Sequence, residues 1–305
     1  MNRAPGSAAG LKLPGLALGL LAALAWASYV VTARHGALSG LSAVDLAVAR
    51  YVPSGLLLFP LLWRRGVRDL AGIGWRRGLL LALLAGPLFG FTMALGLSLA
   101  PVAHGGVIGP AALTLTGAVV TAVVLGEYIS IRRRIGLVLV VAGLVPVAGG
   151  GTFTVMTPEI LAGDLLVVAA NASFAIYGVL LKRWGIDAIA STSVVAFLSA
   201  ICLAVIWPFT IDIPALQAVR AIDIGLAVLG QGILAGTVAV LAYAATVARI
   251  GPARAAVFPS LVPALALVAG APLVGESPTT AQFIGVAVVS AGLVAAVGLL
   301  DRRPA

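Results

Sequence analysis

The chain has 305 residues, of which 61% are hydrophobic and only 10% charged, with a mean hydropathy of +1.15. So little polar surface cannot cover a water-facing domain, which excludes a soluble globular protein. The net charge of +9 invites a nucleic-acid reading, but no basic stretch is interleaved with aromatic residues, so no nucleic-acid partner is expected.

Apolar runs of about 20 residues, each able to span roughly 30 Å of hydrocarbon, fall at 15–33, 44–63, 79–99, 102–124, 132–150, 163–182, 191–210, 223–247, 253–273 and 281–300. They are continuous in Leu, Ala and Val rather than alternating, which argues against a β-barrel. The sequence therefore predicts an all-α, polytopic membrane protein with ten transmembrane helices, and the lipid bilayer as its first partner.

In helix 1, Arg3 and Lys12 precede an apolar run that contains Ala25-Trp26-Ala27, which superficially satisfies the rule for a cleaved leader. Because Gly15 to Arg34 has a counterpart in Gly163 to Lys182, cleavage is not expected. Trp26 and Tyr29 lie three residues apart, on one face. His35 follows in the first outer loop.

Helix 2 opens on Ser42-x-x-Asp45, a capping box. Roughly two turns inside it sits Arg50, next to Tyr51, and a guanidinium at such depth costs about 2.5 to 3.5 kcal/mol unless it is paired or hydrated. Five residues turn about 140° around the axis, so Asp45 is not its partner. Arg50 is left with another helix, backbone carbonyls or a ligand carboxylate, that is, a structural lock or a ligand contact.

Helix 3 carries Phe89, Phe91 and Met93 around the breakers Gly86-Pro87 and Gly90. Helix 4 begins Pro101-Val102-Ala103-His104-Gly105-Gly106, an irregular start whose histidine is either interfacial or lines an opening. Helix 6 repeats the aromatic stripe as Asn171, Phe174 and Tyr177, and helix 8 adds Gln231 and Tyr243. Unpaired amides are costly in hydrocarbon, so Asn171 and Gln231 are expected to face a cavity. Further breaks at Pro110, Gly232, Gly236, Pro259 and Pro263 permit helix movement.

Pro110, Glu127, Gly136 and Gly143 recur as Pro259, Glu276, Gly285 and Gly292 at an offset of 149, and Gly15, Tyr29 and Arg34 recur as Gly163, Tyr177 and Lys182 at 148. The chain is a duplication, read as residues 1–150 and 151–305. Five crossings are an odd number, so the second copy enters the membrane from the opposite side, giving two inverted five-helix repeats. With the N-terminus inside, only Arg34 and Arg220 among the 19 lysines and arginines lie outside, and Arg50 lies within a helix. That bias places both termini in the cytoplasm.

The Gly126-Glu127 and Gly275-Glu276 pairs close helices 4 and 9. Their glutamates are read either as caps near the positive ends of helices 5 and 10 or as proton carriers. The lone Cys202 cannot form an internal disulfide. Two histidines without an acidic cluster at ligand spacing make no metal site.

The segment Ala118 to Leu144, AVVTAVVLGEYISIRRRIGLVLVVAGL, and its partner LVGESPTTAQFIGVAVVSAGL, which ends at Leu293, resemble the signature ends of the EamA-type domains of the drug/metabolite transporter superfamily. Trp26-Ala27-Ser28-Tyr29, more loosely Phe174-Ala175-Ile176-Tyr177, and Ala49-Arg50-Tyr51 also fit that family. The resemblance implies ten helices and a secondary carrier of the inner membrane of a bacterial-type cell. It would export small metabolites, with amino acids, aromatic ones included, expected as substrates and organic cations as the alternative.

No G-x-x-x-x-G-K-[ST], HExxH or GxSxG motif is present, so neither ATP hydrolysis nor intramembrane hydrolysis is expected, and no cofactor is implied. The expected binding set is Trp26, Tyr29, Arg50, Tyr51, Phe89, Phe91, Met93, His104, Asn171, Phe174, Tyr177, Gln231 and Tyr243. A monomer and a homodimer are both compatible with the sequence.

Overall fold

The computed structural model describes residues 12–149 and 157–296, and among them every regular element is helical. The expected copy boundary at residue 150 and the terminal Arg3, Arg302 and Arg303 lie outside the described residues. Ten helices follow one another: α1 (Lys12–Leu38), α2 (Ala43–Arg65), α3 (Trp75–Leu99), α4 (Val102–Leu125), α5 (Ile131–Gly149), α6 (Pro158–Trp184), α7 (Ala188–Thr210), α8 (Ala221–Ile250), α9 (Phe258–Val274) and α10 (Thr280–Ala296). Short turns at Ile213–Ala218 and Pro252–Ala255 join α7 to α8 and α8 to α9.

Seven of these helices are long and apolar enough to cross a membrane, fewer than the ten expected. Among the described residues α9 and α10 are apolar but shorter, and α5 opens on Arg132, Arg133 and Arg134, which take up its first turn. The protein is a multi-pass membrane protein, and its outward surface suits lipid: Leu56, Val123, Val145 and Phe209 all stand exposed on it.

The breaks fall where the backbone loses a donor or a side chain. α3 is interrupted at Gly86, just before Pro87, while α4 runs unbroken through Pro110. α9 starts as a tight 3-10 turn at Phe258–Leu261 around Pro259. α8 widens into a π-helix over Val228–Val238, a stretch that holds Gln231, Gly232 and Gly236. Gly126 (φ +68°) and Gly275 (φ +73°) end α4 and α9 in the left-handed conformation, as the repeated Gly-Glu pairs predict.

Packing follows an exchange between the copies. α1 lies against α8 and α9, and α6, its counterpart, lies against α3 and α4; α2 packs on α7 and α5 on α10. The α5–α10 seam brings backbone against backbone. A Cβ on Gly143 would sit 2.9 Å from the Gly285 carbonyl oxygen, and one on Gly292 would sit 2.8 Å from that of Gly136. The glycines that betray the duplication are therefore the ones that join its halves.

Candidate functional site

The exchange of partners brings the apolar faces of α1, α2, α3 and α6 together around Arg50. Its guanidinium carbon lies 4.3 Å from the ring centre of Tyr29, 5.5 Å from that of Tyr51 and 5.6 Å from that of Phe89. These distances favour cation–π attraction, which strengthens away from water. Nε and Nη1 of Arg50 are nevertheless buried without a hydrogen-bond acceptor, and so is the hydroxyl of Tyr29. The Tyr51 hydroxyl is engaged, donating to the Ala85 carbonyl at 2.8 Å. Five donors in a fixed fork, the three on Nε and Nη1 without acceptors in a ring of π-faces, suit an incoming anion, with a planar carboxylate the best match.

The aromatic lining continues from this cage. Phe89 meets Phe174 at 5.2 Å between ring centres, and Phe174 meets Tyr177 at 5.2 Å. One turn along α6, Asn171 donates to the Val167 carbonyl at 2.8 Å and approaches the Met93 sulfur at 3.5 Å. A Cβ on Gly109 of α4 would lie 3.2 Å from the Asn171 amide, so the glycine is what lets α4 come this close. Tyr29, Arg50, Tyr51, Phe89, Met93, Asn171, Phe174 and Tyr177 thus form one connected group.

Beside that group, Trp26 and Tyr243 pack ring to ring at 5.2 Å between α1 and α8. Gln231 is 1% exposed in the π-helical stretch of α8, and its Nε2 has no acceptor. The side chain of Phe91 points the other way. It is exposed and lines an almost wholly apolar groove of about 670 Å³ with Leu79, Cys202 and Ile206, on the outer surface. Two residues from Phe89, it is turned by about 200° around the helix, which the sequence spacing itself contains.

His104 does not line an opening. It is buried, with Nδ1 3.0 Å from Oδ2 of Asp164.

The two glutamates act across the copies rather than as caps of the next helix. Glu276 receives Arg34 Nε of α1 at 3.2 Å and the backbone N–H of Val102, the first residue of α4, at 2.8 Å. Glu127 receives Nζ of Lys182 on α6. α10 is closed instead by Thr279 and Gln282, which satisfy each other's backbone N–H groups, and Ser130 accepts from the Arg133 N–H at the start of α5. The signals Thr279-x-x-Gln282 and Ser130 stand in the sequence, and they outcompete the glutamates by being at the right spacing.

The two ion pairs are repeat equivalents at opposite ends of the bundle, and they differ. At the Glu276 end Arg34 also donates to the carbonyls of Ser98 (2.6 Å) and Leu97 (3.3 Å), locking α1, α3, α4 and α9 together. His35 adds a bridge from α1 to Asp223 of α8 at 2.9 Å. At the Glu127 end, α4 parts from α6: α4 is largely buried from Val102 to Ala112 but not beyond, and Gly117 and Gly178 face open space. The gap is a cleft of about 410 Å³ that runs from Phe174 and Tyr177 to Lys182 and Arg133. Phe174 and Tyr177, at the edge of the aromatic group, line this cleft, and the Glu276 end shows no comparable opening among the described residues.

A model of the "EamA-like transporter family" matches residues 13–148 and again 161–298. One solved crystal structure is similar over 97% of this chain and 99% of its own, with a TM-score of 0.62 and 19% sequence identity, a likeness of fold. Among curated proteins none matches the sequence.

Proposed function

The chain belongs to the EamA-like transporter family of the drug/metabolite transporter superfamily, and from that premise we propose that it is a secondary carrier exporting small carboxylate-bearing metabolites, amino acids with aromatic side chains foremost. The family is one of transporters rather than enzymes. The observation that carries the substrate reading is Arg50, whose buried Nε and Nη1 lack acceptors inside the Tyr29, Tyr51 and Phe89 ring. A substrate carboxylate would complete the guanidinium fork, while the Phe89, Phe174 and Tyr177 rings would take an apolar or aromatic side chain. An organic cation fits less well, because the π-faces that would receive it already hold the Arg50 charge.

Two five-helix copies, divided near residue 150 and inverted in the membrane, would work by alternating access: the cleft at the Glu127 end loads substrate, and exchange of the ion-paired end opens the other face. On this reading the Glu127 end is cytoplasmic, the protein sits in the inner membrane of a bacterial-type cell, and α5, α9 and α10 complete ten crossings. The arginines that open α5 then lie at the cytoplasmic headgroups, where long basic side chains reach water.

Counterflow in proteoliposomes loaded with a panel of amino acids and quaternary ammonium compounds tests this. Exchange of labelled phenylalanine is expected to be competed by other carboxylate-bearing amino acids and not by quaternary ammonium compounds; the reverse pattern would overturn the substrate assignment.

A further inference from the structure

Away from the Arg50 cage, the interface of α4 and α6 holds an ionisable pair that no lysine or arginine neutralises among the described residues. His104 is 5% and Asp164 7% exposed, with Nδ1 3.0 and 3.1 Å from the two carboxylate oxygens. A carboxylate that deep requires a counter-charge or a proton. Here the counter-charge is an imidazole, the side chain that ordinarily gains and loses its charge between pH 5 and 8. With one proton on the pair it is an imidazolium and a carboxylate, net neutral; when that proton leaves, an uncompensated anion stays in the interface.

The position links this proton to the cleft. Asp164 and Asn171 are seven residues apart on one face of α6, and His104 precedes Gly109, the Asn171 contact, by five on α4. The pair fastens the closed end of the interface whose other end is splayed. Here α6 also meets α3 so closely that a Cβ on Gly163 would lie 2.8 Å from the Gly96 carbonyl oxygen, leaving no slack for one helix to shift alone.

The charged neighbours are few. Arg34 of α1 is bound to Leu97, Ser98 and Glu276; Glu276 accepts the Val102 N–H two residues before His104; Glu159 is exposed in the first turn of α6; and His35 pairs with Asp223 where α1 meets α8. Within their described spans, α9 and α10 carry no charged side chain, α3 has none beyond Arg77, and the arginines of α5 lie at the far end.

We propose that His104 and Asp164 form a proton-binding latch through which the pH at the Glu276 face sets how readily that face opens, a deepening that rests on the transport reading above. The protonated pair holds α4 and α6 together at the Glu276 end and so favours the state open at the Glu127 end. Loss of the proton exposes the carboxylate to an interface that no longer neutralises it, and the two helices part. The proton enters and leaves at the Glu276 face, and substrate, which favours the opposite state, works against the latch.

The test needs a readout that is independent of any substrate. In a Cys202→Ser background, spin labels at Pro101→Cys and Leu161→Cys report the separation of α4 and α6 at this end in purified protein. The distance is expected to widen as pH is raised from 5 to 8, and Asp164→Asn and His104→Gln should each abolish that dependence. If the wild-type distance ignores pH, or both variants keep its response, the proposal is wrong; should Asp164→Asn fail to fold, His104→Gln decides alone. In proteoliposomes the change in phenylalanine counterflow between pH 5 and 8 at the Glu276 face should fall to about one-fold in either variant. Absence of wild-type counterflow would sink the amino-acid reading while the distance measurement still judges the proton site.

Discussion

Arg34 Nε lies 3.2 Å from Glu276 Oε1, and the residues that occupy the same places in the other copy, Lys182 and Glu127, are likewise paired at the opposite end of the bundle. One pair is locked in by the Val102 N–H and two carbonyls; the other stands largely in the open, with side chains 59% and 38% exposed. An exposed pair contributes about 0 to 1 kcal/mol, and a hydrogen-bonded, partly buried one contributes more.

Glu276→Gln should therefore lower the thermal stability of the detergent-purified protein by about 1.5 to 3 kcal/mol, the range for a hydrogen bond to a charged group, while Glu127→Gln should change it by less than about 1 kcal/mol. Beyond stability, Glu276→Gln should raise the labelling rate of a cysteine placed at Phe89 by a membrane-impermeant reagent added from the Glu276 side. Equal effects of the two substitutions would contradict the asymmetry of the two ends.

Arg50→Lys keeps the charge but loses the planar fork. Measured on variants matched for folded fraction, it should weaken phenylalanine binding at least tenfold, and Arg50→Ala should abolish transport. If Arg50 were only a helix-to-helix lock, both variants would lose stability together and the affinity of the folded molecules would be unchanged.

Asp187, the N-cap of α7 outside the spans, offers a pH test. Burial pushes its carboxyl up, but hydrogen bonds from Arg65 and from the Ala190 N–H, together with the Arg65 charge, prevail and hold it below the usual aspartate range. A depressed folded-state value means that the stabilisation is complete above the unfolded value, about 3.9, and is lost as pH falls through the folded one. Asp187→Asn still caps α7, so the wild-type advantage over it should be constant from pH 8 to about 5 and disappear in stronger acid. Thermal melts across that range read it.

Tags placed at both ends should be reached only by protease added to the cytoplasmic face. Cleavage of either tag from the other face would overturn the ten-crossing arrangement.

Gly143→Ala should cost roughly 1 to 3 kcal/mol by overpacking, because the added Cβ would meet the Val289 nitrogen at 2.8 Å and the Gly285 carbonyl oxygen at 2.9 Å. Gly117→Ala, which faces open space in the cleft, should leave the melting temperature nearly unchanged.

Repetition was the strongest thing legible in the sequence. Glu127 and Glu276, Arg34 and Lys182, and the glycines of α5 and α10 all recur, and the folded chain pairs them accordingly. The capping box of Ser42 and Asp45 and the break at Gly86 were equally plain, since both depend on local spacing alone. What could not be read was which face each stripe presents. Phe91 and Phe89 are alike in the sequence and differ only in the side of α3 they occupy, one exposed and the other buried. The bond between His104 and Asp164 spans 60 residues, and no periodicity announces a contact between two helices. The π-helical stretch of α8 was likewise invisible, because Gly232 and Gly236 suggest only that the helix can deform, not how.

Every helix of the first copy makes its most extensive contact with a helix of the second: α1 with α8, α2 with α7, α3 and α4 with α6, α5 with α10. The molecule is thus put together as a dimer whose two subunits happen to be covalently joined. Residues 1–150 produced alone would present five helices with their principal partners missing. Two half-length polypeptides made in the same membrane would have what each lacks, and are expected to reassemble into a working carrier.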